Sequence, residues 1–419
     1  MLSHKVSTFS LRLLVFGLAL QAFFLLSTLF LLLDLGSADL TVPFNNWGDT
    51  TWFTVVVKGM VDNGWTYIIP QLSAPFELHA AAFPAMTHAD WVVMKLLSFF
   101  NPEPGAIINL FWLCSIVFAG WLAAVAMTLL GIEVWLACIM GALYAFLPFA
   151  FFRNVAHITL VYYCVPGICA LAVWIAGGCP ELRSRCIKSI GFLALFVQAL
   201  NYIYYSFFAL LILAVAGWRG AIVSNSARPI RTALVAIVFT LSFASINLTP
   251  SFLSWHQEGK PPDMGYKHAA EAEIYGLKLR TMLTPSKSNL IPPFSDWAQK
   301  NRSTPFPNEN ENVTARLGPM AALGLIYLTL ISLGLVKARV SRPSRSVITN
   351  NLAFLSLFTL LFVTVGGLGS LFNLLVLPEF RAYNRFSVFI AFFVLSGFAL
   401  WWQSAFERMR CRASKRALL

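Results

Sequence analysis

Between Asn45 and Phe100 the chain collects six side chains able to move a proton or hold a cation: Asp49, Asp62, Glu77, His79, His88 and Asp90. They follow directly on a long apolar run. Most of the remaining chain is apolar and could wall a site but not run one. Asp49 stands at the start of Thr50–Val61, a segment with a helical apolar face from Trp52, Phe53, Val56, Val57 and Met60. Two roles fit it. As an N-cap it would accept hydrogen bonds from the first turn's backbone amides. As a general base it would take a proton from an acceptor hydroxyl at a membrane surface. A capped carboxylate keeps a second oxygen, so the roles can coexist. Asp90 opens a second such segment, Ala89–Phe100, and lies three residues after Thr87, the spacing of a capping box. A helix-start role competes there with a role in catalysis or in positioning an acceptor. Glu77 and His79 fall on irregular chain and could touch a sugar.

Fixed positive charge is the other half of the chemistry. Arg153 and His157 are four apart, as are Arg381 and Arg385, which precede the last apolar run. On a helix that spacing puts two side chains on one face. A phosphate leaving group needs no proton donor. It needs positive charge where negative charge builds, and arginine supplies this in bidentate form. The competing role for these arginines is headgroup anchoring. Lys278 lies in Lys267–Leu283, a candidate helix in a later polar stretch, and is a further candidate for phosphate contact. Glu271 and Glu273 beside it read as a solvated face.

The elements that must position these groups are helices in a bilayer. Of 419 residues 58% are hydrophobic and only 11% charged, and the mean hydropathy is +0.71. Too little polar material exists to cover a soluble core. Repeated apolar runs near twenty residues point to an all-α, polytopic integral membrane protein. The net charge of +12 therefore does not indicate nucleic acid. The basic residues sit in short connections between runs, as orientation and anionic-lipid contact require. No internal repeat, Gly-rich phosphate loop or low-complexity tract is present. Most of the seven cysteines lie inside apolar runs, so no disulfide and no zinc site is expected.

About ten transmembrane helices are expected, at 11–33, 104–130, 134–150, 158–176, 188–200, 204–217, 232–250, 317–336, 350–367 and 386–403. The first is too long for a signal-peptide core, typically ~7–15 residues, and reads as an uncleaved span. The stretch 188–217 could be one helix or two. With two, turning near Asn201 and Tyr202, one side of the membrane holds 17 Lys and Arg against 3 Asp and Glu. With one, most of the basic connections would move outside, against the positive-inside bias. Two helices place both termini in the cytoplasm. Two large loops, 34–103 and 251–316, then face outward, the first carrying interfacial helices. The whole chain, 1–419, reads as a single domain, with 368–379 as a re-entrant half-helix.

Several short motifs give this pattern a family resemblance. They are Gly48-Asp49, Asn63-Gly64-Trp65, Ala74-Pro75-Phe76, Phe83-Pro84 before Asp90, Arg153 with His157, Glu273–Lys278, and Arg381-Ala382-Tyr383-Asn384-Arg385. With an Asp in the first outward loop, the chain resembles the GT-C superfamily of integral-membrane glycosyltransferases, within it a bacterial YfhO-like branch. The resemblance implies a hexosyltransferase of the cell envelope in the bacterial cytoplasmic (inner) membrane. Its donor would be a polyprenyl-phosphate sugar and its acceptor a glycan or lipid, as in polysaccharide assembly. Asp49 matches the catalytic acidic residue, with Asp90 as a second carboxylate. Arg153, His157, Lys278, Arg381, Tyr383 and Arg385 would bind substrate. Many relatives carry a carboxylate in the next outward loop. Here that loop, 151–157, offers Arg153 and His157 and no carboxylate, which sets a divalent metal in question; no metal ligands are assigned and no cofactor is certain. The rival readings are a flippase for lipid-linked sugars and a non-catalytic assembly protein.

Overall fold

In a computed structural model, residues 2–84, 86–261, 267–286, 289, 291–302, 310–338 and 343–417 are described. The chain begins with α1 (Leu2–Leu32). The first loop carries α2 (Thr50–Asn63) and α3 (His88–Ser98), with a two-stranded antiparallel ribbon, β1 (Ile68–Ile69) and β2 (Leu78–His79), between them. The bundle continues with α4 (Pro104–Leu129), α5 (Val134–Ala145), α6 (Pro148–Arg153), α7 (Val165–Ala176), α8 (Ser184–Ala199), α9 (Ile203–Ser224) and α10 (Arg228–Glu258). The second loop holds α11 (Glu271–Tyr275), α12 (Leu279–Leu283) and α13 (Pro292–Arg302). Last come α14 (Pro319–Ser332), α15 (Pro343–Val363), α16 (Leu368–Leu375) and α17 (Ser387–Ala417).

Among the described residues eight helical segments are long and apolar enough to cross a membrane. Two of the ten expected spans fall in shorter helices: α8 has 16 residues and α14 has 14. Every residue of α7 is buried, and so is α17 from Val388 to Leu400. These two helices are the centre. At the rim, α1 exposes Phe16, Phe23 and Leu31 while α10 exposes Val235, Val238 and Ile246. Such faces are costly in water and natural in hydrocarbon.

Polar contacts fix the direction of each helix. At one end the Arg183 guanidinium donates to the Leu129 carbonyl at 3.0 Å, Arg228 pairs with Glu181 at 2.7 Å, and Arg345 pairs with Glu407 at 2.8 Å. At the other, the Ala89 amide donates to the Leu200 carbonyl and the Tyr204 hydroxyl to the Glu379 carbonyl, both at 3.2 Å. Thus α8 and α9 run in opposite senses about a break at residues 200–202, the two-helix alternative. Asn109 of α4 pins the start of the first loop, donating to the carbonyls of Leu40 and Val42 and accepting from the Phe44 amide.

Helix α2 starts at the expected residue and ends at Gly64, whose φ of 78° is left-handed, the usual helix stop. Its apolar residues Phe53, Val56, Val57 and Met60 are buried against α3 and α4. That face therefore meets protein, whereas α3 leaves Val92 and Leu96 half exposed. The expected helix over Lys267–Leu283 is broken in two. Leu277 pairs in strand fashion with Thr364, its amide donating to the Val363 carbonyl at 2.8 Å. That pairing holds the chain extended between α11 and α12.

Helices α14 and α17 approach closely at Gly324, where a Cβ would come 2.1 Å from the Val394 carbonyl oxygen. Small residues at such contacts let helices associate in lipid. Gly324→Ala is expected to lower stability by about 1–3 kcal/mol, read as a lower thermal midpoint in detergent. Gly36→Ala, whose Cβ would meet only a Phe30 ring carbon at 3.4 Å, should leave that midpoint in place. Equal midpoints for both variants would mean that α14 and α17 do not pack this tightly.

Candidate functional site

The sequence leaves Asp49 two roles, and the structure gives it the N-cap position without the cap. Its backbone carbonyl accepts from the Phe53 amide at 3.0 Å, but its carboxylate makes no capping bond and is exposed. The chain before it is tied down. Asn45 accepts from the Trp47 amide at 3.1 Å and donates to the Asn154 side chain at 3.0 Å, and Gly48 stands against Ala156. The chain leading into α2 is thereby held near residues 154–156. The charged groups near enough to act on His157 are Arg153, Asp49, Arg385 and Glu311. Four elements far apart in sequence meet here.

Arg153 and His157 do not share a helix face as their spacing predicts. Helix α6 ends at Arg153, and Asn154 takes a φ of 36°, unusual for a residue with a side chain. Its own amide oxygen accepts from the Ala156 backbone at 2.9 Å and steadies the kink. Both side chains still line one narrow crevice, with Trp112, Ala150 and Tyr162. Arg153 is almost wholly buried. It donates to Glu311 at 2.8 Å and, more weakly, to the Asn384 side chain at 3.4 Å. Burial is the largest single influence on Glu311 and opposes its charge, but Arg153, with Arg385 and His157 adding to it, holds the carboxyl below its ordinary value. Arg153 Nε, His157 Nδ1 and Asn384 Nδ2 are buried and find no partner among the described residues. Buried polar atoms normally find one.

Beside this crevice lies a wider groove of about 410 Å³, lined by Tyr202, Tyr204, Lys260, Lys267, Arg381 and Arg385. The Arg385 guanidinium lies 4.6 Å from the Tyr204 ring centre and that of Arg381 lies 4.9 Å from the Tyr275 ring centre. Arg381 is also ion-paired with Glu271. Lys267 is pushed below the usual lysine value, first by burial and then by Arg381 and Arg385. Four cations crowd one groove, and Arg385 also acts on Arg153 and Glu311 in the crevice. Such a groove suits a phosphate, which fixed arginines and lysines neutralise together.

Three expected site residues do not join. Asp90 is 1% exposed and lines neither the Arg153–His157 crevice nor the cationic groove. It makes no capping box either, because Thr87 makes no side-chain cap. Its Oδ1 instead accepts from the Tyr163 hydroxyl at 2.6 Å and the Asn201 amide at 2.9 Å, while Oδ2 finds no partner. The Asn201 oxygen in turn accepts from the Asp90 backbone at 3.0 Å. Asp90 is thus a seam between the first loop and the bundle. Tyr383 is also buried; its hydroxyl meets the Asn373 side chain and the Gly369 carbonyl, tethering α16. Lys278 starts α12, its amide donating to Asn312, and lines neither crevice nor groove.

Sequence reasoning passed over Glu311, Asn384, Lys260 and Lys267 as site residues and took Glu271 as solvated. Only the motif Arg381–Arg385 carried a signal for Asn384, because it encloses that residue. Glu311 lies 158 residues from Arg153, beyond any local pattern. All seven cysteines are free. Among the described residues no group of three or more His, Cys, Asp or Glu side chains is placed to hold a metal ion.

Burial pushes the Asp90 carboxyl up to about 7 from an ordinary 3.8, against the bonds from Tyr163 and Asn201. Folding therefore favours its protonated form. Stability should fall as pH rises from about 4, where the unfolded carboxyl ionises, to about 7, where the folded one does, by an amount on the order of a few kcal/mol. Asp90→Asn should flatten this part of the profile, measured as thermal midpoint against pH in detergent. A wild-type profile level between pH 4 and 7 would contradict the burial of this carboxyl. In comparisons with known proteins no family model matches the chain, and neither a curated protein nor a solved structure matches it, so the site is read from its own geometry.

Proposed function

We propose that the protein is a membrane glycosyltransferase of GT-C type, moving a sugar from a polyprenyl-phosphate donor to a glycan or lipid acceptor on the outer face of a bacterial cytoplasmic membrane. The observation that carries this reading is the exposed, uncapped carboxylate of Asp49 beside His157, at the end of the bundle that also holds Arg385 and the cationic groove. Asp49 takes the proton of the acceptor hydroxyl. That oxygen bonds to the sugar's anomeric carbon as the bond from carbon to the phosphate oxygen breaks, and the electron pair stays on the phosphate. Arg385, Arg381, Lys260 and Lys267 neutralise the charge so released. Arg153 lies deeper, and its pairing with Glu311 gives it the task of positioning the second loop and Asn384. Exposed Leu371, Leu374 and Leu375 of α16, shortly before Pro378 at the groove edge, offer an apolar bank to a prenyl chain.

The same reading sets the topology at ten spans, α8 and α14 included, with both termini cytoplasmic. Arg183, Arg228 and Arg345 then face inward, in keeping with the positive-inside bias, and the Asp49 end faces outward. A flippase would use the cationic groove alike but has no use for a carboxylate poised beside it. Transport coupled to ions would place ionisable groups at mid-membrane, where the sequence of these spans is nearly free of them.

Transfer can be followed in liposomes from a radiolabelled polyprenyl-phosphate sugar in the presence of a bacterial envelope lipid extract. Asp49→Asn should keep the wild-type thermal midpoint and lose about 10²-fold or more in transfer rate, the share general-base catalysis supplies. Arg385→Gln should weaken donor binding. Near-normal transfer by Asp49→Asn removes the carboxylate from the chemistry. Label that only crosses the bilayer assigns the groove to a flippase.

A further inference from the structure

A second groove, of different chemistry, lies across a strap from the cationic one. The strap is the segment Ala80–Pro84 together with the helix break at 200–203. Ala81 and Leu200 face the second groove, while Pro84, Tyr202 and Ile203 face the first. The second groove runs between the β1–β2 ribbon and the last turns of α10. It encloses about 720 Å³ and is open on one side, within the roughly 300–1,000 Å³ of ordinary small-ligand pockets. Among the described residues no lysine or arginine lines it.

Its walls are built rather than incidental. The Trp65 side chain is 46% exposed. Its ring lies 6.3 Å from His88 in a near-parallel stack and edge-on to Trp91 at 6.2 Å. His88 is itself clamped by the Tyr67 hydroxyl at 2.7 Å and the Asn247 oxygen at 2.6 Å. Trp65 is thus a supported aromatic platform. Across from it Ser254, only 8% exposed, lines the groove with an Oγ that has no partner among the described residues. Glu258 lines the same wall, oriented by His79 at 2.8 Å. The far bank, Ile246 and Leu253, is more than half exposed on the outer face of α10 and continues into its apolar surface.

An aromatic face accepts an apolar C–H surface, while a buried, unpaired hydroxyl and a carboxylate call for hydrogen-bonding groups. A sugar ring offers both, an apolar face and an edge of hydroxyls. An anionic headgroup would find no cation and would meet Glu258. We propose that this groove binds an uncharged, hydroxyl-rich lipid headgroup: a neutral glycolipid with its sugar on Trp65, its hydroxyls toward Ser254 and Glu258, and its chains along α10. Its role as the acceptor's seat rests on the transferase reading; the binding does not. The strap then separates an acceptor groove without cations from a donor groove rich in them.

Binding can be read directly, without transfer, in phosphatidylcholine nanodiscs holding the full chain and radiolabelled monoglucosyl-diacylglycerol. Saturable retention is expected, resistant to an equal amount of phosphatidylglycerol. Trp65→Ala and Ser254→Val should each weaken retention about tenfold, the equivalent of one stacked ring or one buried hydrogen bond, and Trp65→Phe should restore most of it. Polyprenyl-phosphate retention in the same discs reads the other groove, so a failed donor site is told apart from a failed glycolipid site. Phosphatidylglycerol displacing the glucolipid one for one, or wild-type retention by both Trp65→Ala and Ser254→Val, overturns the proposal.

Discussion

A guanidinium with only 4% of its side chain exposed must have a carboxylate within reach, and Arg153 finds one in Glu311. Stranding such a charge would cost several kcal/mol, so the second loop has to fold back over the end of the bundle. Once there it is fastened by its own amides. Asn310 donates to the Ile274 carbonyl at 2.6 Å and Asn312 to the Gly276 carbonyl at 3.0 Å, and the Leu277 pairing with Thr364 ties the same stretch to the end of α15. The site is the meeting of two loops that have no sequence proximity. One ion pair decides where they meet.

Charge sorting extends outward from that pair. Arg381 answers to Glu271 and Arg153 to Glu311, while Arg385 makes no carboxylate salt bridge among the described residues and lies over Tyr204. An aromatic face is a softer partner than a carboxylate. It keeps the cation in place without neutralising it, which leaves charge for an incoming anion. On the far side of the strap the lining holds Glu258 and histidines but, among the described residues, no lysine or arginine. Within one end of the bundle the chain thus keeps a region that favours anions beside one that does not, divided by a few residues of loop.

Much of this fold was legible in the sequence because hydrocarbon imposes a simple rule: long apolar runs become helices. The break at Asn201 and Tyr202 followed from charge placement alone, and α2 began and stopped at the residues its caps indicated. The site was legible in part. Asp49, Arg153, His157, Arg381 and Arg385 gather at one end, whereas Asp90, Tyr383 and Lys278 serve the scaffold. Local spacing misled in two ways. The Arg153–His157 pair and the helix expected over Lys267–Leu283 assumed regular helix continuing where the chain kinks or pairs elsewhere, while at Thr87–Asp90 the helix forms but Asp90 bonds to Asn201 and Tyr163 instead of closing a capping box. A partner 158 residues distant leaves no mark on local periodicity.

The Asp90 seam shows why such breaks occur where they do. Ending α8 at residue 200 leaves backbone carbonyls and amides that must be satisfied internally if no water reaches them. Leu200 passes its carbonyl to the Ala89 amide, and the Asn201 carbonyl accepts from Asn247, which also donates to the Met86 carbonyl. The Asn201 side chain then exchanges two hydrogen bonds with Asp90. The first loop is therefore what completes the broken helix, and the break is what anchors the loop. A buried carboxylate suits this place because Oδ1 can take both the Tyr163 hydroxyl and the Asn201 amide at once. The same seam that holds Asp90 away from substrate positions the strap between the two grooves, so its role in function runs through geometry rather than through its charge.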